Sequence, residues 1–198
     1  MQEFVIVILA AGESSRLGEP KQLLIYEGIT FLERSIQLAS ALAGDKVCVV
    51  LGANATTILK KVPQAARLSI INDKWKDGMG TSIALGLKTA LNLYPVIKSA
   101  IFMTVDQLFV TSEHLKALVS LHEQSGKPIV ASSYQDAAGI PALFDQTFFK
   151  DLLNLETDKG ARDIIRSHDH QVAKLALPGG EVDIDTPEQY ALLQNRRN

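Results

Sequence analysis

The chain opens with an unbroken apolar run, Phe4-Val5-Ile6-Val7-Ile8-Leu9-Ala10. Such a run predicts a strand that is buried on both faces, as at the centre of a parallel sheet. Shorter runs predict further strands over residues 47–51, 68–71, 100–105 and 128–132. Between them, apolar residues recur at helical spacing, which predicts helices over residues 30–43, 55–61, 81–93 and 112–124 and from Pro187 onward.

Strands that alternate with helices predict an α/β fold. We expect a doubly wound, mostly parallel, Rossmann-like sheet with helices on both faces, in a single domain over residues 1–198. The pattern loosens after residue 137, where helices are predicted over 144–155 and 160–168 and a strand over 172–177. This part predicts a small antiparallel addition at one edge of the sheet.

A loop of small residues follows the first apolar run and carries two cations, Arg16 and Lys21. Small side chains let backbone N–H groups approach a ligand closely, and amides beside fixed cations form an anion site. Open α/β sheets bind ligands at the carboxyl ends of their strands, which is where this loop lies. We therefore interpret residues 11–21 as a cradle for a triphosphate. A plain turn around Gly12 and Gly18 is the structural alternative.

Two common phosphate-binding motifs do not fit this loop. In the P-loop, a Gly-Lys pair follows four residues after the first glycine, but Leu17 is the fifth residue after Gly12. The dinucleotide motif needs a glycine at its third position, where Ser14 stands. The missing dinucleotide motif disfavours a nicotinamide-dependent oxidoreductase.

Charge and composition exclude several classes of partner. A net charge of −2 with 21% charged residues gives no reason to expect binding to nucleic acid or to an anionic membrane. No apolar segment reaches the roughly 18 to 20 residues that span a bilayer, and no basic signal region opens the chain, so we expect a cytoplasmic location. Cys48 lies in an apolar strand and is interpreted as structural. The four histidines show no zinc-ligand spacing.

Polar residues follow two more of the predicted strands. Residues 72–82 leave one strand and open a helix, and their glycines and hydroxyl groups suit a base or a phosphate. Trp75 within them is interpreted either as a stacking residue or as a packing residue. Asp106 directly follows the strand over residues 100–105, so its carboxylate faces the same crevice as the loop. Because magnesium is bound by one or two carboxylates plus phosphates, Asp106 is a candidate ligand, with a turn cap as the alternative.

Near the carboxyl end, Asp183 and Asp185 alternate with apolar residues, so both carboxylates point one way in an extended chain. One of them is expected to complete a metal site with Asp106, and a cap for the last helix is the competing explanation. Lys159 and Arg162 mark a charged helix entry, which either binds a second anionic substrate or is ordinary surface charge.

Taken in order, these segments resemble the signature of the MobA-like nucleotidyltransferases. The first matched segment is Leu9-Ala10-Ala11-Gly12-x-Ser14-x-Arg16-x-Gly18-x-Pro20-Lys21. The others are residues 78–82, 106–107, 139–144, 158–162 and 183–187. The resemblance covers nearly the whole chain, is greatest for the molybdenum cofactor cytidylyltransferases, and implies the same doubly wound sheet.

The resemblance implies a role for each matched position. It implies Mg²⁺ binding by Asp106 and Asp185, and catalysis by Lys21, Arg16 and Asp106. Nucleotide contacts are implied for Leu9, Ala10, Ala11, Gly12, Arg16, Lys21, Gly80 and Ser82. Acceptor contacts are implied for Gln107, Gly139, Pro141, Lys159 and Arg162. Cytidine-binding members carry Ala-Ala-Gly and guanosine-binding members Ala-Gly-Gly, so Ala11 favours CTP over GTP.

The implied reaction is magnesium-dependent transfer of a nucleoside monophosphate from a nucleoside triphosphate to the terminal phosphate of molybdopterin, with release of pyrophosphate. A molybdoenzyme or its chaperone is the protein partner that the resemblance suggests. Two departures from the family pattern, Leu108 for a proline and Thr157 for a glycine, adjoin the implied acceptor residues. A sugar phosphate or methylerythritol phosphate acceptor stays an alternative, as does a non-catalytic module that delivers nucleotide or cofactor.

Overall fold

A computed structural model describes residues 3–135, 137–155 and 159–195. Its strands are β1 (Phe4–Ala10), β2 (Ile25–Tyr26), β3 (Ile29–Thr30), β4 (Val47–Leu51), β5 (Ser69–Ile71), β6 (Ser99–Thr104), β7 (Ile129–Tyr134), β8 (Ala137–Asp145) and β9 (Val172–Ala176). Its α-helices are α1 (Phe31–Ala43), α2 (Ala55–Lys61), α3 (Met79–Leu93), α4 (Ser112–Ser125), α5 (Phe149–Leu153), α6 (Ala161–Ser167) and α7 (Pro187–Asn195).

Seven strands form one sheet in the order β5-β4-β1-β6-β8-β7-β9. The pairs within it are parallel except for those that β8 makes with β6 and β7. β2 and β3 form a separate two-stranded antiparallel sheet. The predicted α/β fold with a mostly parallel sheet is confirmed, and the antiparallel strand lies between β6 and β7.

β1 occupies the middle of the sheet because its side chains are apolar on both faces. Phe4, Ile6 and Ile8 pack into the core beneath α1, α2, α4 and α7. Val5 and Val7 face the opposite core, which α3, α5 and α6 cover. Successive side chains of a strand point to opposite faces, so a continuous apolar run is what a doubly covered strand requires.

Two local features fix the helices that border β1. Thr30 Oγ1 accepts a hydrogen bond from the backbone N–H of Glu33 at 3.1 Å, and the Glu33 carboxylate accepts from the N–H of Thr30 at 2.8 Å, which forms a capping box for α1. Gly86 lets α3 approach the sheet closely, because an added Cβ would lie 2.6 Å from Cγ1 of Val7. The middle of α3 thereby lies directly against the middle of β1.

One prediction for the second half of the chain was wrong in detail. The helix predicted from residue 144 begins only at Phe149, because Phe144 pairs with Ala100 in the ladder and packs edge-to-face against Phe102 at 5.9 Å. The helix predicted from residue 112 is present as α4, and the Thr111 side chain caps it by accepting from the backbone N–H of residue 114 at 3.2 Å.

Cys48 is buried in β4, and burial raises the pKa of its thiol to about 11. The thiolate is therefore scarce at neutral pH, which agrees with a structural side chain. Along the part of the chain that the structure describes, no helix has the length and apolar character needed to cross a bilayer.

Candidate functional site

A cavity of about 360 Å³ lies at the carboxyl ends of β1 and β6. The two strands are neighbours in the sheet, so the segments that leave them meet above one edge. The predicted site residues that line the cavity are Leu9, Ala10, Ala11, Gly12, Arg16, Lys21, Ser82, Asp106 and Asp185. Ser14, Gln22 and Trp75 also line it. Residues far apart in the chain thus meet around one space.

Ser14 and Gln22 hold the loop after β1 in shape. Ser14 adopts a φ of +58°, and its Oγ accepts from the backbone N–H of Lys21 at 3.1 Å. Gln22 is only 2% exposed, and its Nε2 donates to the carbonyl oxygens of Ala10 at 2.6 Å and Gly12 at 3.2 Å. Gln22 Oε1 is buried without a partner within the described ranges, and unpaired buried groups concentrate at functional sites. Sequence reasoning missed Gln22, which no motif distinguished from a surface glutamine.

Four charged side chains converge at one wall of the cavity. Lys21 Nζ donates to Oδ2 of Asp106 at 2.7 Å and to Oδ1 of Asp185 at 2.6 Å. A guanidinium nitrogen of Arg16 lies 3.5 Å from the other carboxylate oxygen of Asp185. The side chains of Lys21 and Asp106 are 11% and 17% exposed, and that of Asp185 is 37% exposed. The loop, the end of β6 and the carboxyl-terminal segment therefore share a single cluster.

The pKa values in the cluster follow from these contacts. Burial disfavours the charged form of Lys21, but the charge of Asp106 and the hydrogen bonds to both carboxylates outweigh it, so its pKa is raised. The hydrogen bond from Lys21 is the main cause of a lowered pKa at Asp185, against a smaller effect of burial. Both side chains are consequently charged at neutral pH.

Asp106 and Asp185 fit a magnesium ion. Their oxygens already converge on one positively charged atom, Lys21 Nζ, from two distant segments. Within the described residues, no group of three or more His, Cys, Asp or Glu side chains is arranged to bind a metal. Magnesium keeps several waters and takes one or two carboxylates plus substrate phosphates, so two carboxylates are the expected protein share.

Asp183, the other candidate carboxylate, lies beside this cluster. It lines a neighbouring cavity of about 280 Å³ together with Phe109. Loss of water around its carboxyl group, together with the charges of Asp106 and Asp185, raises the pKa of Asp183. Of the two carboxylates that the sequence left open, it is Asp185 that shares a cation with Asp106.

The opposite wall of the cavity is the entry to α3. Asn72 Nδ2 donates to Thr81 Oγ1 and to Ser82 Oγ, both at 2.9 Å, which closes the segment between β5 and the helix. Trp75 packs at Gly52, where an added Cβ would lie 2.6 Å from Cβ of the tryptophan and 2.7 Å from the carbonyl oxygen of Ala11. Trp75 is therefore both a packing residue and a wall of the cavity. Gly80 lies in the first turn of α3, behind the lining.

The predicted acceptor residues form a second group, outside the lining of the first cavity. The Gln107 side chain donates from Nε2 to the carbonyl oxygen of Ile140, the residue between Gly139 and Pro141. The hydroxyl of Tyr134 donates to the same oxygen at 3.4 Å. This contact joins the turn after β6 to β8.

Arg162 extends this group toward the cavity. Its guanidinium donates to the hydroxyl of Tyr134 at 3.2 Å, and an added Cβ at Gly139 would lie 3.5 Å from its Nε. Lys159 is exposed just before α6, and the adjoining Gly160 approaches Sδ of Met79 in the cavity wall. Thr157 and Asp158 of the same motif lie outside the described residues. Leu108, at the other departure from the family pattern, is buried.

Comparison with known proteins gives matches over most of the chain. The model of the MobA-like NTP transferase domain matches residues 6–172. The purine catabolism protein PucB of Bacillus subtilis is 28% identical over 199 residues, which cover 95% of this chain and 94% of PucB. A probable molybdenum cofactor guanylyltransferase of Bacillus cereus is 34% identical over 73 residues, or 37% of this chain and 34% of the relative.

Solved structures share the fold over nearly the whole chain. Rv0371c from Mycobacterium tuberculosis superposes with a TM-score of 0.78 at 28% identity, over 98% of each chain. A complex of Rv0371c with manganese superposes with a TM-score of 0.74 at 26% identity, over 98% of this chain and 99% of the other. A divalent metal thus binds one protein of this shape.

Proposed function

Because this chain belongs to the MobA-like NTP transferase family, we propose that it transfers a nucleoside monophosphate to the terminal phosphate of a molybdopterin-type acceptor. The nucleoside triphosphate is CTP in preference to GTP, and pyrophosphate leaves. The observation that carries the proposal is the meeting of Lys21 Nζ with Asp106 at 2.7 Å and Asp185 at 2.6 Å, beside the small-residue loop. A cavity with both cations and carboxylates suits a metal-bound polyphosphate.

The reaction needs alignment more than it needs a base. A phosphate oxygen of the acceptor attacks the α-phosphorus, and the bond from that phosphorus to the oxygen bridging the β-phosphate breaks. The attacking phosphate is already anionic at neutral pH, so no proton has to be removed. In agreement with this, no histidine is among the described residues that line the cavity. Catalysis then rests on position and on stabilisation of charge.

The residues of the cavity divide this work. The loop after β1 holds the triphosphate, and Arg16 and Lys21 offset the charge that builds on the transferring and leaving oxygens. Asp106 and Asp185 hold Mg²⁺, which supplies further positive charge to the phosphate oxygens when it is bound. Gln22, through Ala10 and Gly12, keeps the loop in the shape that fits the phosphates. The group around Gln107 and Arg162 lies on the acceptor side.

Two observations support the finer parts of the proposal. The Ala-Ala-Gly loop, with Ala11 at its centre, is the form that accompanies cytidine nucleotides in the family that the chain resembles. A partial relative is named for guanylyl transfer to molybdenum cofactor, which supports the class of acceptor. A molybdoenzyme or its chaperone as receiver of the product, and a cytoplasmic location, stay predictions.

The proposal is tested by release of pyrophosphate. The purified protein is incubated with Mg²⁺, one of the four nucleoside triphosphates, and either molybdenum cofactor, a sugar phosphate or methylerythritol phosphate. We expect pyrophosphate and the cytidine dinucleotide in equal amounts with CTP and molybdenum cofactor, and little with the other pairs. Lys60→Ala, a change of an exposed lysine on α2, serves as control and leaves the rate unchanged.

Each other outcome has a defined meaning. Release with only a sugar phosphate or methylerythritol phosphate contradicts the acceptor and keeps the reaction class. If no pair gives magnesium-dependent pyrophosphate, the catalytic proposal fails and a delivery module explains the site better. Thermal unfolding with each triphosphate adds a measure of binding, since a ligand at 100 times its Kd stabilises by about 2.7 kcal/mol.

A further inference from the structure

The ammonium group of Lys21 contacts one oxygen of each of the two carboxylates that would hold a metal ion. It donates to Asp106 at 2.7 Å and to Asp185 at 2.6 Å, and its side chain is only 11% exposed. Magnesium binds oxygen at about 2.0 to 2.1 Å, so an ion that bonds to the same two oxygens would contact the ammonium directly. Two cations do not share such a point, because like charges repel most strongly where water is scarce.

Among the residues that the structure describes, the charges that line the cavity are balanced before any ligand arrives. The two cations, Lys21 and Arg16, offset the two carboxylates, Asp106 and Asp185. Free Mg²⁺ would add two positive charges to this balance, and a free triphosphate would add about four negative ones at neutral pH. A metal–triphosphate complex adds about two negative charges, half of what the free triphosphate adds, and it brings phosphate oxygens for the displaced ammonium.

Lys21 can make this exchange without a change of backbone. Its N–H is tied to Ser14 Oγ at 3.1 Å, and the adjoining Gln22 is anchored to the loop carbonyls, so the turn that carries Lys21 is fixed at its base. The four-carbon stem of a lysine is flexible and its three donors rotate freely. The ammonium can therefore move from the carboxylates to a phosphate within the same cavity.

We propose that the Lys21 ammonium group occupies the metal-binding position between the two carboxylates and must be displaced before a metal ion binds there. The site therefore binds free metal weakly and accepts the divalent ion together with its nucleoside triphosphate. This rests on the proposed function, because it takes the triphosphate as the ligand that receives the ammonium. Lys21 then has two positions in the cycle: between Asp106 and Asp185 at rest, and on the phosphates in the complex.

The test measures free manganese by its electron paramagnetic resonance signal, with protein alone and no nucleotide. Wild type, Lys21→Met and Lys21→Gln are titrated with Mn²⁺. Methionine matches the length of the lysine stem without its charge, and glutamine keeps an N–H donor and covers the case in which methionine prevents folding. We expect both variants to bind Mn²⁺ at least tenfold more tightly than wild type. Lys60→Met, at an exposed position of α2, is the matched control and leaves the Kd unchanged.

Two double variants test whether the gained Mn²⁺ affinity depends on the carboxylate of Asp106. Adding Asp106→Asn to either Lys21 variant removes the gain, because one of the two carboxylates is lost. Thermal unfolding gives a second readout: Mn²⁺ alone raises the Tm of Lys21→Gln more than that of wild type.

The inference is overturned if both Lys21 variants bind free Mn²⁺ no more tightly than wild type, or if Asp106→Asn leaves the gain intact. Neither measurement depends on turnover. Failure of the proposed function shows instead as absent pyrophosphate release, whichever way the manganese titration falls.

Discussion

Two clusters of polar side chains each join distant segments of the chain, and the two clusters differ in their surroundings. The Lys21–Asp106–Asp185 cluster is charged, partly open to solvent, and faces a cavity of about 360 Å³. A second cluster joins α4, β7 and β8, where His114 Nε2 lies 2.7 Å from Ser132 Oγ and the serine donates to the carbonyl oxygen of Pro141 at 2.6 Å. Ser132 is fully buried.

The second cluster is neutral and internally satisfied. The single hydroxyl proton of Ser132 goes to Pro141, so the serine oxygen must accept from an N–H at His114 Nε2. Burial lowers the pKa of His114, which keeps the ring neutral at pH 7. Convergence of distant polar residues alone therefore does not mark a catalytic site. The first cluster differs from the second because its side chains are charged and face an open cavity.

The largest expected effect comes from Lys21→Ala. Losing one preorganised charge raises the activation free energy by about 3 to 4 kcal/mol, so turnover falls on the order of a hundredfold or more. Pyrophosphate release under saturating substrate measures it, with Lys60→Ala as the matched change at an exposed position. A Lys21→Ala protein with nearly normal turnover would break the distinction between the two clusters.

Asp106→Asn comes next. Asparagine keeps one oxygen ligand but loses the charge, so we expect a loss of about 2 kcal/mol, or roughly thirtyfold in turnover. Asp185→Asn should cost less, because Asp185 is 37% exposed against 17% for Asp106 and its charge is better screened by water. Steady-state rates at several Mg²⁺ concentrations show which of the two variants loses more turnover. Asp151→Asn, at an exposed position of α5, is the control, and an equal loss there would contradict the assignment.

Much of the fold was predictable because burial leaves a direct record in the sequence. β1 and β4 are apolar at every position, since both faces of the sheet are covered. β8 contains Gly139 and Pro141, so its sequence does not show the apolar pattern of a strand. It is nevertheless a strand, because the neighbouring strands β6 and β7 pair with it. β2 and β3 have two residues each, which is too short for a periodicity. Tertiary pairing, which no local pattern encodes, decided β8, whereas β2 and β3 pair with each other across the turn at Glu27 and Gly28.

The candidate site was predictable where strand ends carry it. The loop after β1 and Asp106 after β6 meet because parallel neighbours end at one edge. Asp185 reaches them from a segment without regular structure, and only the family resemblance selected it over Asp183. Gln22 could not be found because no motif distinguishes it. The buried His114 contacts could not be found because their partners, Ser132 and Pro141, lie on strands whose pairing is set by the whole sheet.

Ser132→Ala should lower the free energy of unfolding but have little effect on turnover. It leaves the carbonyl oxygen of Pro141 and the N–H of His114 without partners in a buried place, which costs about 2 kcal/mol in the free energy of unfolding. Urea unfolding measures the loss, and turnover per folded molecule should stay within a few-fold of wild type. A large fall in turnover at unchanged stability would place the second cluster in the chemistry after all.

The smallest effect is one of pH. The lowered pKa of His114 means that the unfolded chain binds more protons below about pH 6.5, so stability falls as the pH drops from 7 toward 5. His114→Gln keeps a donor for Ser132 and should flatten this slope. The charged cluster adds nothing in that window: the lowered pKa of Asp185 acts only near and below about pH 4, and the raised pKa of Lys21 only above about pH 10.

Urea unfolding at pH 7, 6 and 5 separates these contributions. His170→Gln, at an exposed position, is the control and should leave the wild-type slope unchanged. An identical slope in wild type and His114→Gln would contradict the part assigned to the buried ring.

The most direct test of metal binding by Asp106 and Asp185 is a crystal structure with Mn²⁺ and the non-hydrolysable α,β-methylene analogue of CTP, in which the anomalous signal locates manganese. We expect one manganese ion bonded to both Asp106 and Asp185, with the triphosphate on the loop after β1 and Lys21 Nζ moved onto a phosphate oxygen. Manganese bound away from these two carboxylates, or Lys21 still bridging them with nucleotide present, would contradict it.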